Sequence, residues 1–273
     1  MPEPESLPET AESLVLRQGL GAAPALETSA FPAPHPTPST GQSAKLQAIA
    51  EMVLCSSVPT QVVIAGLLRL AGWSALDASG ELQLGFVAAL ALFDTVALIA
   101  LMVVFQHVHG ERPAALWLGR SPARREMLVG VAHLPVVFFI GAGLLLGMRA
   151  LIPQLHNVAT NPFEALAGHS VMDAALLTVV AIAAGGIREE LQRAFLLDRF
   201  ERHLGPAWAG VVLLSIAFGL GHLMQGYDAA VATGAMGAFW AVVYLRRRSS
   251  LAPMISHALF NAVEVASIVA LGR

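Results

Sequence analysis

Three groups of polar residues interrupt the apolar C-terminal half of this chain, and their types could carry out acid–base chemistry. They are Glu189, Glu190 and Arg193, then His222, and finally His257 and Asn261. A carboxylate or an imidazole can take a proton from water, and an amide N–H can stabilise an oxyanion. The set therefore holds groups that could take, give or stabilise charge during a reaction.

The surroundings of these residues are those of a membrane protein. Of the 273 residues, 56% are hydrophobic and 13% charged, whereas a soluble domain usually carries about 25% charge. The net charge of -3 argues against a nucleic-acid partner, which would need a basic stripe. A single cysteine, Cys55, excludes an internal disulfide and a zinc cage built from cysteines.

Long apolar runs predict the elements that must position the polar groups. A helix needs roughly 20 mostly apolar residues to cross a bilayer. The predicted spans are about 47–72, 82–105, 127–148, 170–195, 207–225, 229–245 and 250–271. The first is the weakest, because Glu51, Pro59 and Arg69 interrupt it, and we expect it to be broken. The predicted fold is all-α, a transmembrane bundle of about seven helices spanning residues 46–273.

The remaining segments predict a tail and an orientation. Residues 1–45 hold eight of the sixteen prolines and little periodicity, which predicts a disordered tail. Thirteen of the sixteen Lys and Arg residues fall on one side of the predicted spans, and that side is expected to be cytoplasmic. We therefore expect an integral protein of the plasma (inner) membrane, with a cytoplasmic N-terminus and an external C-terminus.

Other residues within the spans have structural interpretations. Asp94 is expected to pair within the bundle, and His133 to pack as a buried histidine. Gly143 and Gly147 form Gly-x-x-x-Gly, a spacing that lets helices approach closely. None of these is assigned a role in chemistry.

Helix geometry predicts that the reactive groups share one layer of the membrane. At about 1.5 Å per residue, Glu189 lies ~21 Å before the end of its helix, and His222 lies ~22 Å after the start of the next. The turn at 204–206 makes these helices antiparallel, so both groups reach the same level. His257 lies ~12 Å beyond the start of the last span. The levels agree if the charged stretch 198–202 protrudes ~10 Å into the cytoplasm.

The order of the motifs resembles that of a protease family. A glutamate pair with a following arginine, then Phe-x-x-x-His at Phe218–His222, then His-x-x-x-Asn at His257–Asn261, resembles the CAAX protease and bacteriocin-processing (CPBP, or Abi) family. That family includes the type II CAAX prenyl endopeptidases and the lysostaphin-resistance-protein-A-like proteins. The resemblance covers about residues 170–265. It implies an all-helical bundle whose polar cavity opens toward the cytoplasm and laterally toward lipid.

The resemblance also implies a role for each matching residue. Glu189 matches the catalytic glutamate, Glu190 the second, supporting glutamate, and His222 the histidine of the second motif. His257 and Asn261 match the third motif, which is assigned to stabilising the oxyanion. We expect Glu189, with His222, to deprotonate a water that attacks the scissile carbonyl, and Glu189 then to return the proton to the leaving amine.

One position departs from the family pattern, which is usually Glu-Glu-x-x-x-Arg. Ala194 stands where the arginine is expected, and Arg193 comes one residue early. On one helical face Arg193 can pair with either glutamate, and its displacement is expected to turn it toward Glu189 rather than Glu190. Glu190 and Arg193 are then expected to fix the orientation of Glu189.

Several alternatives remain open from the sequence. Glu189, His222 and His257 resemble a zinc site with two histidines and a glutamate, but they lie on three separate helices without a His-Glu-x-x-His motif. A metal-free glutamic mechanism without a cofactor is therefore favoured over a zinc endopeptidase. A non-proteolytic immunity or scaffold protein, which the displaced arginine favours, is a second possibility. A small transporter is the third possibility, and it would show internal repeats between the two halves of the chain, which the sequence lacks. The expected substrate is a membrane-associated protein or peptide: a CAAX protein, a peptide leader or a bacteriocin precursor.

Overall fold

A computed structural model gives the arrangement of these segments, and it describes residues 41–159, 161–167 and 170–271. The predicted tail lies outside the described residues up to position 40, and its last residues, 42–45, belong to the first helix. The helices are α1 (Gln42–Leu54), α2 (Val58–Leu70), α3 (Leu84–Val108), α4 (Pro113–Trp117), α5 (Ala123–Leu151), α6 (Pro162–Ala167), α7 (Val171–Val180), α8 (Glu189–His203), α9 (Ala207–Leu220), α10 (Tyr227–Arg247) and α11 (Leu251–Leu271). A π-helical segment, Ala181–Arg188, joins α7 to α8.

The predicted all-helical bundle is confirmed. Within the described residues, six stretches are long and apolar enough to cross a membrane. They are Gln42–Leu70, Leu84–Val108, Ala123–Leu151, Val171–His203, Tyr227–Arg247 and Leu251–Leu271, and α9 is a shorter apolar helix. Helices are expected here because every backbone N–H and C=O must find a partner inside the segment when no water is present. The chain is an integral membrane protein.

The first span is broken, as its polar residues predict. α1 ends at Leu54 and α2 begins at Val58. Between them Ser57 adopts a left-handed backbone with φ of 73°. Pro59 lies in the first turn of α2, where a proline is tolerated because that turn needs no N–H donor. The break turns the Ser57 side chain into the bundle, where it is buried.

α8 is the central helix of the described bundle. Its residues 190–199 are all buried, and α1, α3, α9 and α10 pack around it. Ala194 and Phe195 are fully covered by apolar neighbours. A helix that is covered on every face can carry charged side chains only if they are paired, and this requirement shapes both the site and the ends of the bundle.

The charged stretch 198–202 is packed against neighbouring parts of the chain. Asp198 and Arg199 are each only 2% exposed. Arg199 donates to Glu51 of α1 at 2.7 Å and, through two nitrogens, to Glu111 at 2.8 Å. The charged end of α8 is covered because these acids from the neighbouring elements compensate its arginines.

α11 packs tightly against both the π-helical segment and α5. A Cβ on Gly186 would lie 2.6 Å from the Cα of Ala258, and a Cβ on Gly130 would lie 2.7 Å from the carbonyl oxygen of Ala252. Distances this short leave no room for a side chain. The helices therefore approach as closely as they do because glycine occupies both positions.

Two expectations about the spans have different outcomes. Asp94 is buried and accepts hydrogen bonds from Thr60 and Gln61 of α2, which confirms that it pairs within the bundle. Gly143 and Gly147 do not pack a helix interface, because a Cβ at either position would have no atom within 4 Å. That prediction is wrong: this face of α5 lies away from its neighbours.

Candidate active site

The backbone that leads into the glutamate pair is not regular α-helix. The π-helical segment, Ala181–Arg188, ends directly before Glu189. A π-helical insertion is rare and frequently marks a functional site. Its two adjacent glycines lie under α11, so the glutamate pair comes to face the middle of α11, where the third motif lies.

Glu190 is the centre of a buried network. Its Oε1 lies 2.8 Å from His257 Nδ1. Arg193 donates to the same carboxylate twice, from Nε to Oε2 at 3.1 Å and from Nη2 to Oε1 at 3.2 Å. The Glu190 and Arg193 side chains are only 1% and 4% exposed. The expectation that Arg193 faces Glu189 is therefore wrong, because its contact runs to Glu190 at the i,i+3 spacing.

Glu189 lies on the other side of the His257 ring. Its Oε2 is 4.0 Å from His257 Nε2, and its Oε1 is 3.7 Å from Nη2 of Arg188. The Glu189 side chain is 17% exposed, so it is the more accessible carboxylate of the pair. Glu190 and Arg193 hold His257 rather than Glu189, which differs from the support expected from the sequence.

The plane of the His257 ring is fixed by an aromatic stack. The Trp240 ring lies parallel to it, with centroids 3.8 Å apart and an interplanar angle of 15°. Trp240 is held in turn by its indole N–H, which donates to Ser256 Oγ at 2.9 Å. Because a carboxylate accepts, Nδ1–H donates to Glu190, and Nε2 is the ring nitrogen that faces Glu189.

Asn261 lies on the same face of α11 as His257, as the four-residue spacing predicts. Its Nδ2 donates to the carbonyl oxygen of Ala181 at 3.0 Å. The amide lies directly over Gly185, where a Cβ would overlap its Nδ2 and would be 3.9 Å from His257 Nε2. Since Nδ2 carries two hydrogens, one N–H can still donate beside the His257 ring.

His222 lies just after the end of α9 and reaches the cluster through an aromatic ring. Its Nδ1 is 2.8 Å from the carbonyl oxygen of Phe218, and its ring is edge-on to the Phe218 ring at 4.7 Å. The same Phe218 ring lies 6.3 Å from the His257 ring and 4.5 Å from the Arg193 guanidinium. The described contacts therefore link His222 to the cluster by ring packing and not by a hydrogen bond.

Two residues near the site were not singled out from the sequence. They are Arg188 and Trp240. Arg188 was counted with the basic residues of the cytoplasmic side, yet it is buried among the helices. The available signal was an arginine directly before two glutamates inside an apolar run, where buried charges must balance. Trp240 gave no such signal, because an aromatic residue in a membrane span is ordinary.

The zinc alternative requires Glu189, His222 and His257 to meet around one ion. In the described residues, no group of three or more His, Cys, Asp and Glu side chains is placed to hold a metal ion. Nδ1 of His257 lies against Glu190 and Nδ1 of His222 against a backbone carbonyl, so a metal ion could reach these rings only at Nε2.

Residues 171–263 match the model of a protein family described as type II CAAX prenyl endopeptidase Rce1-like. The resemblance to the CAAX protease family is confirmed. The matched residues include the glutamate pair, both histidines, Arg193 and Asn261. No curated protein and no solved structure matches the chain. The match covers about a third of the chain and supports, at the family level, a CAAX-type intramembrane protease.

Proposed function

We propose that this protein is an intramembrane endopeptidase that hydrolyses peptide bonds of membrane-associated proteins or peptides. The observation that carries the proposal is the 4.0 Å approach of Glu189 Oε2 to His257 Nε2. Glu190 and Arg193 already compensate one another and hold His257, so packing alone does not explain a second carboxylate at this ring. Glu189 is the more accessible carboxylate of the cluster and serves as the base.

Water activation is the first step of the proposed reaction. Glu189 takes a proton from a water molecule while His222 orients it. With Nδ1–H donating to Phe218 O, the neutral His222 ring has Nε2 free to accept a hydrogen bond from that water. The water oxygen attacks the scissile carbonyl carbon, and the electron pair of the C=O bond moves onto oxygen.

Oxyanion stabilisation and proton return complete the reaction. The second N–H of Asn261 Nδ2 donates to the oxyanion, and His257 donates from Nε2 when that nitrogen carries a proton. Glu190 keeps the ring oriented through Nδ1. When the C–N bond breaks, Glu189 gives its proton to the leaving nitrogen. The products are one carboxylic acid and one amine, and the glutamate is restored.

The proposed substrate is defined by chemistry at the membrane. The matched family is described as a prenyl endopeptidase, and we extend this to the present chain as hydrolysis beside a lipid-anchored or membrane-inserted segment. CAAX termini, peptide leaders and bacteriocin precursors all meet that description. The proposed orientation, with the N-terminus in the cytoplasm of a plasma-membrane protein, presents the site to newly made substrates.

The test compares peptide termini in membranes of cells that express the wild-type chain or Glu189→Gln. Mass spectrometry identifies the termini, so no substrate has to be assumed. The matched control is Glu81→Gln, which makes the same change at an exposed loop position and should leave the termini unchanged. All three proteins are brought to equal amounts in the membrane.

The expected result is a set of termini that wild type and Glu81→Gln produce and Glu189→Gln does not. Identical termini in all three would contradict proteolysis and favour a scaffold or immunity protein. The same cleavage is then repeated with purified protein and a fluorogenic peptide that carries the identified bond, with and without a zinc chelator. Activity that survives the chelator supports the glutamic mechanism, and activity that zinc alone restores would contradict it.

A further inference from the structure

Arg188 is a buried arginine that the proposed chemistry does not use. It is the last residue of the π-helical segment and only 7% exposed. Its Nη1 donates to Ser57 Oγ and to Gln192 Oε1, each at 3.0 Å. Its Nη2 lies 3.7 Å from Glu189 Oε1. One nitrogen of the guanidinium is thus anchored, and another faces the carboxylate of the base.

The anchor of Arg188 is the break in the first membrane span. Ser57 has φ of 73°, and a non-glycine residue keeps such a conformation only where its surroundings fix it. Its Oγ also lies 3.3 Å from Gln192 Nε2, and that amide donates to the carbonyl oxygen of Cys55 at 2.6 Å. The Arg188 guanidinium and the Gln192 amide therefore both bond groups at the break between α1 and α2. These contacts give Arg188 one defined position.

The charges around the glutamate pair also point to Arg188. Two carboxylates and two guanidiniums lie together, and Arg193 is used twice by Glu190. A buried carboxylate needs a cation or several donors. Arg188 is the cation that remains for Glu189.

We propose that Arg188 is a positioning residue for Glu189, held by Ser57 at the break in the first span. The inference rests on the proposed function, since it assigns Glu189 the role of base. Ser57 fixes Arg188, and Arg188 directs the Glu189 carboxylate toward His257. The broken helix is then part of the active site and not an irregular membrane anchor.

The test measures kcat and KM on the fluorogenic peptide, together with the unfolding temperature of each purified protein. Arg188→Gln removes the charge, and Arg188→Lys keeps it without the second nitrogen. Ser57→Gly removes the hydroxyl and tolerates the left-handed backbone. Ser56→Ala is the matched control, because among the described contacts the Ser56 hydroxyl bonds only Val53 O near the end of α1.

Arg188→Gln should lower kcat about 100-fold with KM within about twofold, because a misplaced base affects the transition state and not binding. Arg188→Lys should recover kcat to within about tenfold of wild type although its unfolding temperature stays lowered, which a purely structural role would not produce. Ser57→Gly should lower kcat about tenfold. In the Arg188→Gln background it should add no further loss, because both residues act through one contact.

The possible failures are distinguishable. If Glu189→Gln is inactive and Arg188→Gln retains wild-type kcat, the positioning role is overturned and the proposed function stands. If the effects of Ser57→Gly and Arg188→Gln multiply, the anchor is wrong. If Glu189→Gln cleaves as wild type does, the proposed function fails and the role of Arg188 fails with it. If Arg188→Gln does not fold, Arg188→Lys and Ser57→Gly decide, and unchanged kcat in both overturns the inference.

Discussion

Replacing Arg193 with methionine tests the buried network that holds His257. The substitution keeps the length of the side chain and removes the cation that donates to both Glu190 oxygens. Because both side chains are almost fully buried, the carboxylate is left without its cation, and breaking such a pair costs about 3–5 kcal/mol. The guanidinium also lies over the Phe218 ring at 4.5 Å, and losing that contact adds about 1 kcal/mol.

The assay is equilibrium unfolding in mixed micelles of dodecyl maltoside and SDS, followed by tryptophan fluorescence. Arg193→Met should lose about 4–6 kcal/mol of unfolding free energy, the sum of the two contributions above. The double variant Glu190→Gln/Arg193→Met has no unpaired buried charge and should recover at least about 2 kcal/mol. The control Arg120→Met changes an exposed arginine and should leave the unfolding midpoint unchanged.

Two results would refute this reasoning. The single variant Glu190→Gln completes the cycle, and a double variant whose loss equals the sum of the losses in Glu190→Gln and Arg193→Met, to within about 0.5 kcal/mol, would show that the side chains do not interact. A single variant as stable as wild type would show that Glu190 has another partner of equal strength. Either outcome would also remove the basis for the orientation of His257.

Three further substitutions test the packing around the site. Gly186→Ala should lower the unfolding free energy by about 1–3 kcal/mol, because its Cβ would meet α11. Gly143→Ala has open space around it and should raise the unfolding free energy by about 0.5–1 kcal/mol. The opposite order of stability in SDS titrations would mean that α11 packs elsewhere. Trp240→Leu should slow cleavage of the fluorogenic peptide about tenfold, since His257 loses the ring stacked 3.8 Å away, and an unchanged rate would contradict that account. Ala194→Arg, which restores the usual family spacing, should abolish the monodisperse peak in size-exclusion chromatography because this position is fully buried; a stably folded variant would contradict the burial.

Much of the fold follows from local sequence patterns. Apolar runs of bilayer length predicted helices that the structure has, and the polar residues in the first run predicted its break. The four-residue spacing of His257 and Asn261 placed both on one face of α11, because 3.6 residues complete a helical turn. The order of the motifs was enough to indicate the family that residues 171–263 match.

Contacts between distant helices were not determined in this way. The sequence allowed Arg193 to meet either glutamate, since three and four residues both span one turn. In the structure Arg193 contacts Glu190, whose carboxylate also bonds His257 of α11. The packing face of α5 was also predicted wrongly. The spacing of Gly143 and Gly147 shows that small residues share a face, but it does not show which face a neighbouring helix contacts.

The sequence by itself determined the long apolar helices, the shared face of His257 and Asn261 and the order of the motifs, because these depend on residues a few positions apart. Only the tertiary structure decided which charges pair, that the stretch 198–202 is covered, and that Arg188 lies between Ser57 and Glu189. The physical reason is that a buried charge needs a partner. The sequence offers several possible partners for each buried charge. The packing of helices from separate parts of the chain decides which of them is in contact.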